Sequence, residues 1–145
     1  MEKKSIRPLG FSLLILLFLF LNWGGNKFVS EMNWPVWMDS VGTVLCAYLF
    51  GPVCGIIVGA SFNLLLAIVY EGPWYYAIVS AMVALVVGIA ARRKKLDTLL
   101  DTLTTGAMLS TAVAITAFPI NLLNGGSTGN EWGDAVMKFL AERGI

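Results

Sequence analysis

The sequence contains no histidine, only two cysteines and few charged residues, which make up 13% of its 145 positions. Soluble domains carry about 25% charged residues, so this composition, with 57% hydrophobic residues, favours a membrane protein. The absence of histidine excludes a Ser-His-Asp triad, and without clustered thiols a zinc site would have almost no ligands. We therefore expect no metal, no cofactor and no enzymatic activity.

Two further absences narrow the function. The chain has no Gly-x-x-x-x-Gly-Lys-Ser/Thr phosphate loop, so it is not itself a conventional ATP-hydrolysing motor. It also lacks pairs of acidic residues within its apolar stretches, and Asp39 lies at an end of a predicted helix. Proton pumps and cation antiporters normally carry ionisable residues at membrane depth, which counts against those classes here.

The longest uncharged stretch, residues 40–70, has Gly51-Pro52 at its centre. It is too long for one membrane crossing, which needs about 20 residues. Pro52 cannot donate to a helical hydrogen-bond ladder, and Gly51 readily adopts the conformations that a turn requires. The stretch therefore predicts a membrane hairpin, in which a tight turn joins two helices.

The whole sequence predicts one all-α membrane domain over residues 1–145, a bundle of five transmembrane helices. The predicted helices cover residues 9–29, 36–50, 53–70, 74–91 and 99–123, and an amphipathic tail at the outer interface covers 130–143. A basic start before an apolar run also fits a secretory signal peptide. Since no clean small-x-small cleavage site follows, a retained helix is favoured. A longer form with a sixth helix stays open.

Basic residues favour the cytoplasmic side of a membrane, and they form two clusters in this chain. Lys3, Lys4 and Arg7 precede the first predicted helix, and the Arg-Arg-Lys-Lys run at 92–95 follows the fourth. Both clusters fall on one side only if the hairpin counts as two crossings. We therefore predict a multi-pass plasma-membrane protein with a cytoplasmic N-terminus.

Small residues flank the predicted turn. Cys46 and Cys54 each sit in an apolar helix and are expected to be small buried hydrophobes rather than a disulfide or metal pair. Gly51, Gly55 and Gly59 recur every four residues and would let another helix approach closely. This seam serves either packing within the chain, which is favoured, or docking of a partner membrane protein.

Polar and aromatic residues concentrate at the predicted outer ends of the helices. An interfacial belt explains part of this pattern, but a belt would occupy both faces, so the asymmetry indicates an outward-facing pocket. Pro119 should kink the fifth helix and free backbone carbonyls beside a cavity. The predicted ligand-binding residues are Asn22, Asn26, Asp39, Asn63, Trp74, Tyr75, Asn121 and Asn124.

Two of these residues also have structural interpretations. Asp39 could be the N-cap of the second helix, and Asn63 could hydrogen-bond a neighbouring helix. As ligand contacts, the amides and the carboxylate would orient the solute and the aromatic rings would stack on it. Because Asp39 and Glu71 lie on the predicted outer side, a neutral or cationic ligand is slightly favoured over an anion.

The run Trp-Pro-Val-Trp-Met-Asp-Ser-Val-Gly-Thr at 34–43, followed by Gly51-Pro52, Gly55, Gly59 and Asn63, resembles the substrate-binding S components of energy-coupling-factor (ECF) transporters. Members of that family are small membrane proteins, usually with six helices, that capture vitamins or related micronutrients at the outer face. The resemblance implies a vitamin-like solute as ligand, and a transmembrane coupling protein and ATPase subunits as partners. No nucleic-acid partner is expected.

The chain departs from the family pattern in two respects. Its first predicted helix is rich in Leu and Phe and lacks the Ala-x-x-x-Ala motif through which family members often dock. The sequence also stops after five predicted helices. Two other functions therefore stay open: a sensory input domain that binds a ligand without transporting it, and a structural subunit of a membrane complex.

Overall fold

A computed structural model describes residues 8–32, 34, 38–70, 74–123, 125–126 and 131–144 of the chain. Within these residues the protein is all-helical, with six helices and no strand, which confirms that the fold is all-α. The helices are α1 (Pro8–Met32), α2 (Val41–Phe50), α3 (Pro52–Tyr70), α4 (Tyr76–Arg92), α5 (Leu99–Leu123) and α6 (Glu131–Ala141).

Three of the described helices, α1, α3 and α5, can each cross a membrane by length and composition, with apolar segments of 23, 18 and 25 residues. They indicate a membrane-embedded protein. The other two apolar helices are shorter, at 17 residues for α4 and 10 for α2. At 1.5 Å per residue, α2 is about 15 Å long, which is half of a hydrocarbon core of about 30 Å.

The second helix begins later than the sequence predicted. The predicted start was residue 36, whereas α2 starts at Val41, after a turn at Asp39 and Ser40; residues 35–37 lie outside the described part of the chain. Asp and Ser compete with the helix for backbone hydrogen bonds and so favour positions before it. The bounds of the other four predicted transmembrane helices differ from the observed ones by at most three residues.

Basic residues gather at one end of the bundle. The Phe11 ring near the start of α1 lies 6.5 Å from the Phe50 ring at the end of α2. The guanidinium of Arg92, the last residue of α4, packs against Gly51 in the turn between α2 and α3. We call this end the basic end. The first basic cluster belongs to residues 1–7, outside the described part but immediately before α1.

The opposite end carries aromatic side chains, and we call it the aromatic end. The Phe28 and Trp34 rings lie 5.8 Å apart there. The Trp74 and Tyr75 rings, 5.7 Å apart, directly precede α4. Helices α1 to α5 alternate in direction between the two ends.

Helix α3 carries the glycine seam at the centre of the bundle. Its glycines face the small side chains of two neighbouring helices, which are Thr43 and Ala47 of α2 and Ser80 and Ala84 of α4. A Cβ atom added at Gly55 would lie 2.6 Å from the Ala47 Cβ and 2.9 Å from the Ala84 Cβ. Gly55 and Gly59 therefore serve packing within the chain, and their face is covered, whereas Gly51 lies in the turn before α3, beside the Arg92 guanidinium.

The apolar core next to this seam includes both cysteines. Cys46 is buried against Phe18 and Val58, and the partly buried Cys54 packs on the same cluster. Both are free thiols. Their surroundings are those of small hydrophobic residues.

Helix α5 forms one side of the bundle. It starts at the basic end, where Lys95 Nζ lies 3.4 Å from Asp101 Oδ1, and continues without interruption through Pro119. It packs against α4 and, among the helices of the described residues, against no other. Only Thr105 and Ile120 of its 25 residues are buried, so most of its surface faces outward.

Candidate functional site

A cavity of about 1060 Å³ opens at the aromatic end of the bundle. This volume lies just above the usual range of small-molecule sites, roughly 300–1,000 Å³. Helices α2, α3, α4 and α5 supply most of its wall, and α1 and α6 contribute Asn26 and Gly133. Four of the predicted ligand-binding residues line it, which are Asn26, Asp39, Asn63 and Asn121.

Asn63 joins the glycine seam to the cavity wall. It is 8% exposed, and its Nδ2 donates to Ser80 Oγ on α4 at 2.6 Å and to the Gly59 carbonyl at 3.1 Å. Among the described residues nothing donates to its Oδ1, and no buried side-chain oxygen there lacks a partner. The Oδ1 atom is therefore accessible from the cavity that Asn63 lines, where it can accept a hydrogen bond.

Asn121 and Tyr76 form a second polar group on the wall. The Tyr76 hydroxyl of α4 donates to Asn121 Oδ1 of α5 at 2.5 Å. This bond connects the two helices at the aromatic end and directs the Asn121 amide. Its Nδ2 makes no hydrogen bond to the described residues, so the group can donate to a ligand.

Asp39 is the only charged residue among the described residues that line the cavity. Ser40 Oγ donates to its Oδ1 at 3.2 Å. Burial raises the pKa of the Asp39 carboxyl above its ordinary value of 3.8, whereas the hydrogen bond from Ser40 lowers it to a smaller extent. The site therefore carries a desolvated carboxyl and no cationic side chain among these residues, a combination that favours a cationic or neutral ligand group.

Asn22 lies away from the cavity and caps α2. Its Oδ1 accepts hydrogen bonds from the backbone N–H groups of Gly42, at 2.7 Å, and Thr43, at 3.2 Å. Its Nδ2 donates to Thr43 Oγ1 at 2.9 Å. The backbone N–H groups of Gly42 and Thr43 belong to the first turn of α2, where such donors have no partner within the helix. Fully buried at 0% exposure, Asn22 holds α1 to α2 and does not reach the cavity.

The predicted aromatic contacts also lie off the cavity wall. Trp74 is 62% exposed, and Trp74 and Tyr75 pack on each other rather than among the lining residues. Asn124 lies outside the described residues. Among the described residues, the aromatic side chain that lines the cavity is that of Tyr76, at the start of α4.

Sequence reasoning missed Tyr76, Ser80 and Ser110 as lining residues. Tyr76 and Ser80 are four residues apart on α4, so they share a face. The four-residue spacing was a signal in the sequence that both side chains face the same way. Tyr76 belongs to an aromatic run, however, and the residue at which α4 starts decides which of these rings faces the cavity. The part of the cavity wall that lies farther from the aromatic end is apolar, with Val44 and Val83 among its residues.

The polar groups of the described lining residues are amides, hydroxyls and one carboxyl. Among the described residues no three His, Cys, Asp or Glu side chains come together as a metal site. The arrangement can donate and accept hydrogen bonds at one end of an apolar cavity, which is the usual design of a small-molecule binding site.

Comparisons of this chain with protein-family models, with curated proteins and with solved structures found no match. The support for a function therefore comes from the cavity and from the distribution of charge along the bundle.

Proposed function

We propose that this protein is the membrane-embedded, solute-binding subunit of an ECF-type uptake transporter for a vitamin or related micronutrient. It captures the solute at the outer face of the cell membrane, and partner ATPases supply the energy. Its own task is binding, not catalysis. The observation that carries the proposal is the large cavity at the aromatic end, with Asp39, Asn63 and Asn121 on an otherwise largely apolar wall.

The proposed topology has five crossings, with α2 and α3 as a hairpin around Gly51. The charge distribution supports it, because the basic run 92–95 lies at the end of α4, at the basic end, and the basic residues among 1–7 immediately precede α1 in the sequence. Since positive residues favour the cytoplasm, the basic end is cytoplasmic and the cavity opens outside.

A transmembrane coupling protein would dock on a lipid-facing surface. The seam of Gly55 and Gly59 is covered by α2 and α4 and leaves no room for it. Helix α1 offers an alternative, since Leu16, Leu17 and Phe20 are each at least 50% exposed. This surface would take the place of the Ala-x-x-x-Ala motif.

The test is native mass spectrometry of the protein, expressed in rich medium and mildly solubilised. A high-affinity binding subunit is expected to retain one small molecule per chain, whose mass names the solute. The Asn121→Ala variant should lose most of this adduct, because the Asn121 amide faces the cavity. Leu122→Ala is the matched control, since Leu122 is 55% exposed and does not line the cavity.

An apo mass that stays unchanged on addition of a panel of vitamins and precursors would contradict the proposal. Equal adduct loss in Asn121→Ala and Leu122→Ala would place the molecule elsewhere on the protein. The cavity would then not be the solute-binding site.

A further inference from the structure

The cavity has an open side. It is lined by α2 and by α5, yet these two helices do not pack on each other among the described residues, and each packs on α4. The cavity is therefore a groove over α4, with α5 on one side and α2 and α3 on the other. In a membrane the gap between these two sides faces lipid.

The groove remains open well below the aromatic end. Leu45 of α2 and Ser110 of α5 both line it, and both are exposed, Leu45 by 41%. Along α5 the lining extends from Leu109 to Asn121, a distance of about 18 Å at 1.5 Å per residue. A ligand could thus extend from the aromatic end to about the middle of the helix.

Polarity changes along this length. Asp39 and Asn121 lie at the aromatic end, while Leu45, Val83 and Leu109 line the deeper part. Ser110, a described lining residue of the deeper part, carries a hydroxyl, and its Oγ donates to the Gly106 carbonyl of its own helix. The deep part of the groove therefore offers dispersion contacts, and the upper part offers hydrogen bonds and one negative charge.

We infer that the groove takes an amphiphile with a cationic head and an apolar tail, the head beside Asp39 and the tail between α2 and α5. This inference rests on the proposed function, in which the same cavity binds a solute. Charge complementarity selects the head, because Asp39 is the only charged lining residue in the described chain. The open side of the groove favours an apolar tail, because an alkyl chain or a fused-ring system can enter the groove from the lipid side.

The experiment uses the full chain in phosphatidylcholine nanodiscs and three probes, which are dodecylamine, dodecanoate and ethylamine. Dodecylamine has both the cationic head and the tail, dodecanoate has the tail with an anionic head, and ethylamine has the head alone. Native mass spectrometry counts the adducts. We expect one dodecylamine per chain, and at least about tenfold weaker binding of each other probe.

Two pairs of variants locate the tail. Leu45→Trp fills the groove from α2, and Leu49→Trp is its control, 60% exposed on the same helix and off the groove wall. Val113→Phe fills it from α5, and Ile115→Phe is the control, 69% exposed. Leu45→Trp and Val113→Phe should each weaken dodecylamine binding, and the controls should not.

The outcomes separate this inference from the proposed function. Equal binding of dodecylamine and dodecanoate, or no difference between the variants and their controls, would overturn the inference. A compact water-soluble adduct that depends on Asn121 and is not displaced by dodecylamine would do the same but leave the proposed function intact. If no compact solute and no probe binds, both fail. A dimeric chain that binds no probe would assign the groove to a second copy.

Discussion

The Asn22 side chain of α1 donates a 2.9 Å hydrogen bond to Thr43 Oγ1 in the first turn of α2. Its Oδ1 also accepts from the backbone N–H groups of Gly42 and Thr43. The capping residue of α2 thus comes from another helix, since Ser40 at the N-cap position makes no side-chain capping bond. This contact sets where α2 begins and so where Asp39 meets the cavity.

The first prediction concerns this cap. Asn22→Ala leaves two buried N–H groups without acceptors and should lower the free energy of unfolding by about 1–3 kcal/mol. Thermal unfolding in detergent measures it. Asn26→Ala is the matched control one turn further along α1, because no capping bond involves the Asn26 side chain. Equal effects of the two substitutions would contradict a capping role for Asn22.

The second prediction compares two helical glycines. Gly55→Ala should destabilise the protein by about 1–3 kcal/mol, because the new methyl group would overlap Ala47 and Ala84. Gly106→Ala on α5 should be neutral or stabilising by up to about 1 kcal/mol, because a Cβ there meets no atom within 4 Å. The comparison of their unfolding temperatures tests whether the seam is tightly packed; similar temperatures would show that it is not.

The third prediction concerns the bond between Asn63 and Ser80. Asn63→Leu should weaken solute binding and also reduce stability, because it leaves the Ser80 hydroxyl buried without its partner, at a cost of about 1–3 kcal/mol. Adding Ser80→Ala should restore part of the stability but none of the affinity. A double-mutant cycle on unfolding and on solute binding separates the two roles. Additive effects on stability would mean that the bond contributes little.

The fourth prediction concerns pH. Folding raises the pKa of the Asp39 carboxyl, so the folded state holds this proton more tightly than the unfolded state. The contribution of Asp39 to the free energy of unfolding is therefore unfavourable at pH 7, becomes less so as pH falls through the raised pKa, and levels off below 3.8.

Asp39→Asn should accordingly be more stable than the wild type at pH 7, and the difference should shrink toward pH 4. Unfolding temperatures of both proteins across this range give the comparison, in which contributions from other carboxyls cancel. A difference that grows on acidification would have the wrong sign for a desolvated carboxyl.

The fifth prediction is the topology. A reporter fused after Lys95 should report the cytoplasm, because four basic residues cluster there, and a reporter after Trp74 should report the outside. The second fusion is the control for the first. A Lys95 fusion that reports the outside would exclude the two-crossing hairpin.

Much of the fold could be predicted from the sequence, because it depends on local properties. Uncharged stretches of sufficient length predict apolar helices, and Gly51-Pro52 ends one helix and starts the next for stereochemical reasons. The start of α2 could not be predicted. It depends on Asn22, 20 residues earlier, and no local pattern links an amide on one helix to the first turn of another.

The candidate site could also be predicted only in part from the sequence. The sequence indicated that amides and a carboxyl gather at one end of the helices, and Asn26, Asp39, Asn63 and Asn121 do line the cavity. The sequence does not show which polar residues make hydrogen bonds within the fold and which face the cavity. Asn22 and Asn121 look alike in sequence, yet Asn22 caps a helix and Asn121 lines the cavity.

An all-α membrane protein could be predicted from the sequence alone, because hydropathy acts residue by residue. Three features required the folded bundle: Ala47 and Ala84 fill the glycine seam, Tyr76 rather than Trp74 lines the cavity, and α2 and α5 do not pack on each other among the described residues. These outcomes depend on which helices approach each other and at what rotation, and that choice is made by packing across the whole bundle.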